Sequence, residues 1–216
     1  MSAASVDGRA ARKERTRVAV IEALLGLYTE NNLTPTIDDI ASRVGMTSRT
    51  IYHHFADHEA IAESLRHHQR PLMAPHMVAV VEGSLEDRID ELVAHRAALF
   101  ELIAPVRRAA LANMHRSARI RRGQAQIGRR LREQLADTFA TELVTLDDEH
   151  RAGVIDLLDL HTSWETWDRL RRWQRLPQAR ARDIVAGLVG AALAQCAPNS
   201  EDHTHQQDRR AARRRR

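Results

Sequence analysis

The side chains best suited to recognition chemistry fall in one short stretch. Thr47, Ser48, Arg49, Tyr52 and His53 supply hydroxyls, a guanidinium, a phenol and an imidazole. All of these groups bond phosphate oxygens or base edges. Bond-making chemistry has no comparable signature, because no G-x-S-x-G, H-E-x-x-H, P-loop or dinucleotide glycine fingerprint occurs. No catalytic residue and no cofactor are therefore expected. Metal ligation is no better supported. Cys196 is the single cysteine, and Asp202, His203 and His205 sit in a polar tail that makes a poor metal site. A second set, Phe100, Met114, His161, Trp164 and Trp167, joins large apolar surface to one titratable ring and suits the wall of a ligand pocket. The plainer reading of Trp164 and Trp167 at helical spacing is core or interface, and of His161 a histidine satisfied within the protein.

These residues need elements to hold them, and helical spacing supplies those elements almost throughout. Val18, Ile21, Leu25 and Tyr28 recur at steps of three and four, which predicts a helix over 12–30. Asn31-Asn32 offers a stop. Thr36 is an N-cap with Asp39 three residues on, and Ile37, Ile40, Ala41 and Val44 carry a second helix to Gly45. Thr47 caps a third, short helix through about His53, and Asp57 caps a fourth that ends at Pro71. Two short helices joined by a tight glycine turn make a helix-turn-helix. Further on, the pattern predicts a helix from Ser84 to about Ala104 and a new segment at Pro105. It also predicts a loop or kink over 117–123, helices over 124–144 and 147–174, and a last helix from Pro177 to about Cys196. The expected fold is all-α, with about nine helices.

The helix-turn-helix carries a more specific signal. Thr36, Ile37, Ile40, Ala41, Gly45, Met46, Thr47, Thr50, Ile51, Tyr52, His54 and Phe55 stand in register with the DNA-binding motif of one family. Residues 12–61 resemble the DNA-binding domain of TetR-family transcriptional regulators. The resemblance implies that Thr36 bonds a phosphate from the start of the second helix, and that Arg17 reaches one from the first. It implies that Thr47 caps the reading helix, that Ser48, Arg49 and Thr50 enter the major groove, and that Tyr52 and His54 hold the backbone. His53 completes the outward face. Arg49 is the expected bidentate base contact. One departure concerns His58, which stands where the family usually carries lysine. An imidazole grips phosphate as a cation only near or below a pKa of about 6.5.

The same resemblance implies a larger helical ligand-binding and dimerisation domain in the remainder. The expected division is a disordered arm over 1–11, the DNA-binding domain over 12–56, the regulatory domain over 57–198 and a disordered Arg-rich tail over 199–216. Helices 147–174 and 178–196 are the expected dimer interface. On the last of these, Ile184, Leu188, Ala191 and Ala192 form a narrow apolar side, and Gly187 and Gly190 permit close approach. The implied partners are a palindromic double-stranded DNA operator, a second copy of the chain and a small-molecule effector of unknown identity.

Charge adds less than it first promises. The chain of 216 residues has a net charge of +4, yet residues 1–60 hold seven basic and eight acidic residues, a net of −1. The excess lies in the tail and in residues 102–132, which hold nine arginines and no acid. With a single lysine, Lys13, in the whole chain, arginine placement says little, and a solvated face is the default for 102–132. The polar, basic start does not read as a signal peptide, and no apolar run reaches the roughly 20 residues a membrane helix needs. One cysteine fits a reducing compartment. The sequence therefore reads as a cytoplasmic, homodimeric DNA-binding regulator, most simply a repressor released by a small molecule. An effector-independent activator or architectural protein is the alternative, and an all-helical enzyme a more distant one.

Overall fold

A computed structural model of the chain describes residues 3–194; the Arg-rich tail, Cys196 and the Asp202–His205 cluster lie outside the described residues. Within them every regular element is a helix. The elements are α1 (Ala3–Thr29), α2 (Ile37–Val44), α3 (Ser48–His54), α4 (His58–Met73), a 3-10 turn (Ala74–Met77), α5 (Leu85–Asn113) and α6 (Ala118–Thr138). There follow α7 (Ala140–Leu143), α8 (Asp148–His161), α9 (Trp164–Asp168), a π-helical turn (Arg169–Trp173) and α10 (Gln178–Ala194).

Two units can be distinguished. Among the described residues the first comprises 3–78 and 98–130, the second 79–97 and 131–194. In the first unit α1 packs on α2, α3 and α4. Its core is aliphatic: Val20, Leu24, Ile40, Ile51, Ile61 and Leu65 are fully buried, and Ala109 of α5 joins them. The deepest residues of α1 are Val20 and Leu24, whereas Val18 and Leu25 of the expected stripe are half-buried. The difference arises because α1 is covered by three helices and so needs a wider apolar arc than a single seam. In the second unit α8 packs on α10, and Leu92, Leu135, Phe139, Leu158, Trp164, Trp167 and Val189 are buried.

Several helix boundaries differ from expectation. Helix α1 starts at Ala3, through residues expected as a disordered arm; alanines and arginines, good helix formers, are frequent there. Pro71 and Pro105 do not end their helices but lie inside α4 and α5. At Pro105 the packed residues on either side, Phe100, Ile103 and Ala109, are each buried. Burial of the large apolar side chains Phe100 and Ile103, about 1.5–3 kcal/mol apiece, offsets the roughly 3 kcal/mol that an interior proline costs. The loop expected over 117–123 is confined to its start, because the Ser117 hydroxyl accepts from the Ile120 N–H and begins α6 at once. The long helix expected over 147–174 breaks at Thr162-Ser163. Thr162 Oγ1 donates to the Leu158 carbonyl, and Ser163 Oγ accepts from the Thr166 N–H to cap α9. Hydroxyls that bond nearby backbone compete with helix continuation.

Candidate nucleic-acid interface

The local chemistry of residues 36–55 sets the angle and the exposed face of the two short helices. Thr36 Oγ1 accepts from the Asp39 N–H at 3.1 Å, and the Asp39 carboxylate accepts from the Thr36 N–H at 2.7 Å, a complete capping box. The Thr36 N–H, joined by the Thr36 hydroxyl at 2.9 Å from the same carboxylate oxygen, holds the Asp39 carboxyl below its ordinary range. Gly45 ends α2 with φ 67° and ψ 34°, in the left-handed region, and its N–H returns to the Ala41 and Ser42 carbonyls. Thr47 caps α3, accepting from the Thr50 N–H at 3.2 Å, and the two threonine hydroxyls meet at 2.9 Å. Inward, Ile51 and Phe55 are buried. Outward, Arg49, Thr50, Tyr52 (55% exposed) and His53 face solvent.

Ser48 is held differently from its neighbours, since its hydroxyl donates to the Asp38 carboxylate of α2. Sequence reasoning missed Asp38. The available signal was the Asp38-Asp39 pair, of which capping uses only the second member. Asp38 places a negative charge beside the start of α3.

Arg17 and the two inner histidines are engaged within the unit. Arg17 Nη1 donates to the His54 carbonyl at 2.7 Å and Nη2 to Ser64 Oγ at 3.2 Å, with the guanidinium 4.4 Å from the Phe55 ring centroid. It thereby ties α1 to the end of α3 and to α4. His54 is half-buried, and burial lowers its pKa below 6.5, helped by repulsion from His53, Lys13 and Arg17. Burial also lowers His58 below 6.5, outweighing the Asp57 carboxylate and a hydrogen bond with the Pro35 carbonyl. At neutral pH both rings are uncharged, and His54 Nδ1 and His58 Nε2 are buried without a hydrogen-bond partner among the described residues.

A second anchor that the sequence did not announce is Asn113, at the end of α5. Its Nδ2 donates to the Leu33 carbonyl, in the α1–α2 connection, at 2.9 Å and to the Ala109 carbonyl at 2.8 Å. Nearby, Ser117 Oγ donates to Glu59 at 2.8 Å and Arg119 Nε pairs with Glu63 at 2.6 Å, both on α4.

Comparison with known proteins agrees with this geometry. The sequence profile for bacterial regulatory proteins of the tetR family matches residues 20–65, the span from the buried half of α1 to the middle of α4. Residues 20–65 thus carry the DNA-binding helix-turn-helix pattern of the tetR family of bacterial regulatory proteins. Among solved structures, a tetR-family transcriptional regulator from Streptomyces coelicolor is similar in fold. The TM-score is 0.64 at 18% identity, covering 94% of this chain and 99% of that one. A chain from Mesorhizobium loti MAFF303099 assigned to the same family gives a TM-score of 0.59 at 19% identity, covering 85% of this chain and 97% of that one. No curated protein matches the chain.

The five residues expected to suit a pocket wall fall in both units. Phe100, buried, and Met114, half-buried, belong to the first unit. His161, half-buried, with Trp164 and Trp167, 5% and 3% exposed, belongs to the second. The two tryptophans are part of that unit's core. No described helix is long and apolar enough to cross a membrane.

Proposed function

We propose that the chain is a homodimeric, cytoplasmic repressor that binds a palindromic operator and leaves it when a small molecule binds. The observation that carries the DNA-reading part is the α3 face. Arg49, Thr50, Tyr52 and His53 are exposed on a helix whose start is fixed by the Thr47–Thr50 hydroxyl pair and by Ser48 on Asp38. In this reading Arg49 bonds a base edge, Ser48 and Thr50 lie in the groove with it, and Thr36, Tyr52 and His53 contact the backbone. Thr47 serves as the cap, and His54 and Arg17 set the position of α3. Residues 12–56 act as the reading head and 57–198 as the regulatory part, with α4 as the mechanical link.

Dimerisation is supported by the free side of α10. Val185, Val189 and Leu193 are buried within the unit, while Ile184 and Leu188 are half-buried and Gly187 and Ala191 are exposed. Ala192, placed on the apolar side by its spacing, is buried with the inner group. A Cβ built on Gly187 or Gly190 meets nothing within 4 Å. On α8, which packs against α10, Leu160 is 59% exposed. A two-fold dimer would present two reading helices to major grooves one turn apart, about 34–36 Å. An effector that prefers a conformation with wrongly spaced heads would then shift the population off DNA.

Selection of bound sites from random DNA tests this reading. The expected product is an inverted repeat with half-site centres about 10 base pairs apart. Enrichment of single, unpaired half-sites would reject the dimeric reader, and no enrichment would reject sequence-specific reading altogether.

A further inference from the structure

The second unit contains a buried cation with no part in the DNA-reading chemistry. Arg96 of α5 is 2% exposed. Its Nη2 donates to the Leu131 carbonyl of α6 at 2.7 Å. Its Nε and Nη1 are buried and meet no acceptor among the described residues. Burial pushes the group down to about 10, so it stays charged at neutral pH. The Asp159 carboxylate of α8 acts on it through space. Asp159 is itself 45% exposed and shared with Arg132, 4.0 Å away, which pairs more closely with Asp156 at 2.6 Å.

The other buried arginine of the unit makes the contrast plain. Arg88 donates to the Thr138 carbonyl at 2.6 Å, and its two terminal nitrogens both bond the Glu142 carboxylate. That guanidinium is neutralised where it sits. The same unit thus builds a full carboxylate partner for one buried arginine and leaves the donors of the other open. A buried cation lacking an anion is disfavoured until one arrives, and a carboxylate is the planar partner a guanidinium matches best. The side chains buried on the same helices, Leu92 one turn back on α5, Leu135 on α6 and Leu158 on α8, are aliphatic. They suit a ligand with an apolar body.

We infer that Arg96 is the anchor of a ligand site in the second unit, and that the ligand is a small monocarboxylate with an apolar body. The site rests on the effector reading above for its role in regulation but not for its chemistry. In the bound state the carboxylate accepts from one of the open donors, and the Leu131 carbonyl keeps its bond to Nη2.

The test measures thermal unfolding of the full chain with hexanoate, octanoate and benzoate, each beside its primary amide. The expected result is a saturable rise in Tm with at least one acid and none with its amide. Arg96→Met abolishes the rise, and Arg96→Lys, which keeps the charge but loses the fork, weakens binding by at least about tenfold. An equal rise in Arg96→Met, an equal rise with the amide, or no rise with any of the acids overturns the site. Should Arg96→Met not fold, unchanged affinity in Arg96→Lys overturns it equally. Operator affinity measured in parallel separates the two readings. Arg96-dependent binding with operator affinity unchanged supports the site and rejects ligand release through it.

Discussion

Arg17 and Arg49 carry the same charge, and their surroundings give them different work. Arg17 is bonded to the His54 carbonyl and Ser64 and lies over Phe55, while Arg49 stands on the exposed side of α3. Arg49→Ala should therefore cost about 1–3 kcal/mol of discrimination between operator and scrambled DNA, read by fluorescence anisotropy. Arg17→Met should instead cost about 1.5–3 kcal/mol of folding stability in urea unfolding and leave the salt slope of operator binding unchanged. A fall of about one in that slope would place Arg17 on a phosphate after all. The histidines make a prediction about pH. Burial lowers His54 and His58 in the folded protein, so below about 6.5 the unfolded chain binds more protons than the folded one. Stability is thus full above that pH and declines as pH falls through 6.5 toward the lowered folded values. His58→Gln should flatten part of this decline between pH 7.5 and 5.5, and a wild-type profile already flat over that range would contradict the buried, neutral rings.

The elements that hold these residues are too short to stand alone. Helices α2 and α3 span only 8 and 7 residues, and isolated helices shorter than about 12–15 residues are marginal in water. Caps and core supply what length does not. Gly45 is the clearest case, because a Cβ there meets nothing within 4 Å and only its left-handed φ of 67° resists substitution. Gly45→Ala should accordingly lower stability by about 1–2 kcal/mol through the backbone alone, and Gly45→Asn by less, in the same urea experiment. Equal losses for both would point to a steric cause that the geometry does not contain. A different device acts at Gly26 of α1, where the Arg43 guanidinium passes so closely that a Cβ would sit 2.9 Å from Nη2. That passage lets Arg43 of α2 reach Glu30 with two bonds of 2.6 and 2.7 Å.

For the molecule as a whole, placement matters more than net charge. The reading head is slightly acidic over residues 1–60, and Asp38 adds an anion beside α3. Operator affinity should therefore fall with salt less steeply than the order-of-ten ion release of the most salt-sensitive DNA binders, and a slope that steep would reject this view. Arginines of the 102–132 stretch are partly spent internally: Arg119 on Glu63, Arg121 on the Met114 carbonyl and Arg132 on Asp156. That use accords with a structural and solvated face. Assembly makes the second prediction at this scale. Leu188→Glu, on the half-buried side of α10, should convert a dimer to a monomer by light scattering with its helix content intact. A dimer that survives the substitution would remove α10 from the interface.

What the sequence determined by itself was the local grammar and what it builds. Thr36 with Asp39, Gly45, Thr47 and Asp57 mark helix ends through contacts a few residues apart, so their meaning survives without a fold. The all-helical class and the outward face of α3 follow from the same short-range periodicity. The tertiary structure decided everything that depends on which helix lies against which. It turned Arg17 inward, buried most of the His58 ring so that its pKa falls, set Ser48 on Asp38 and let α5 run through Pro105. It also left Arg96 buried with open donors while Arg88 found its carboxylate. Burial and partnership are properties of distant segments brought together, and no spacing along the chain encodes them.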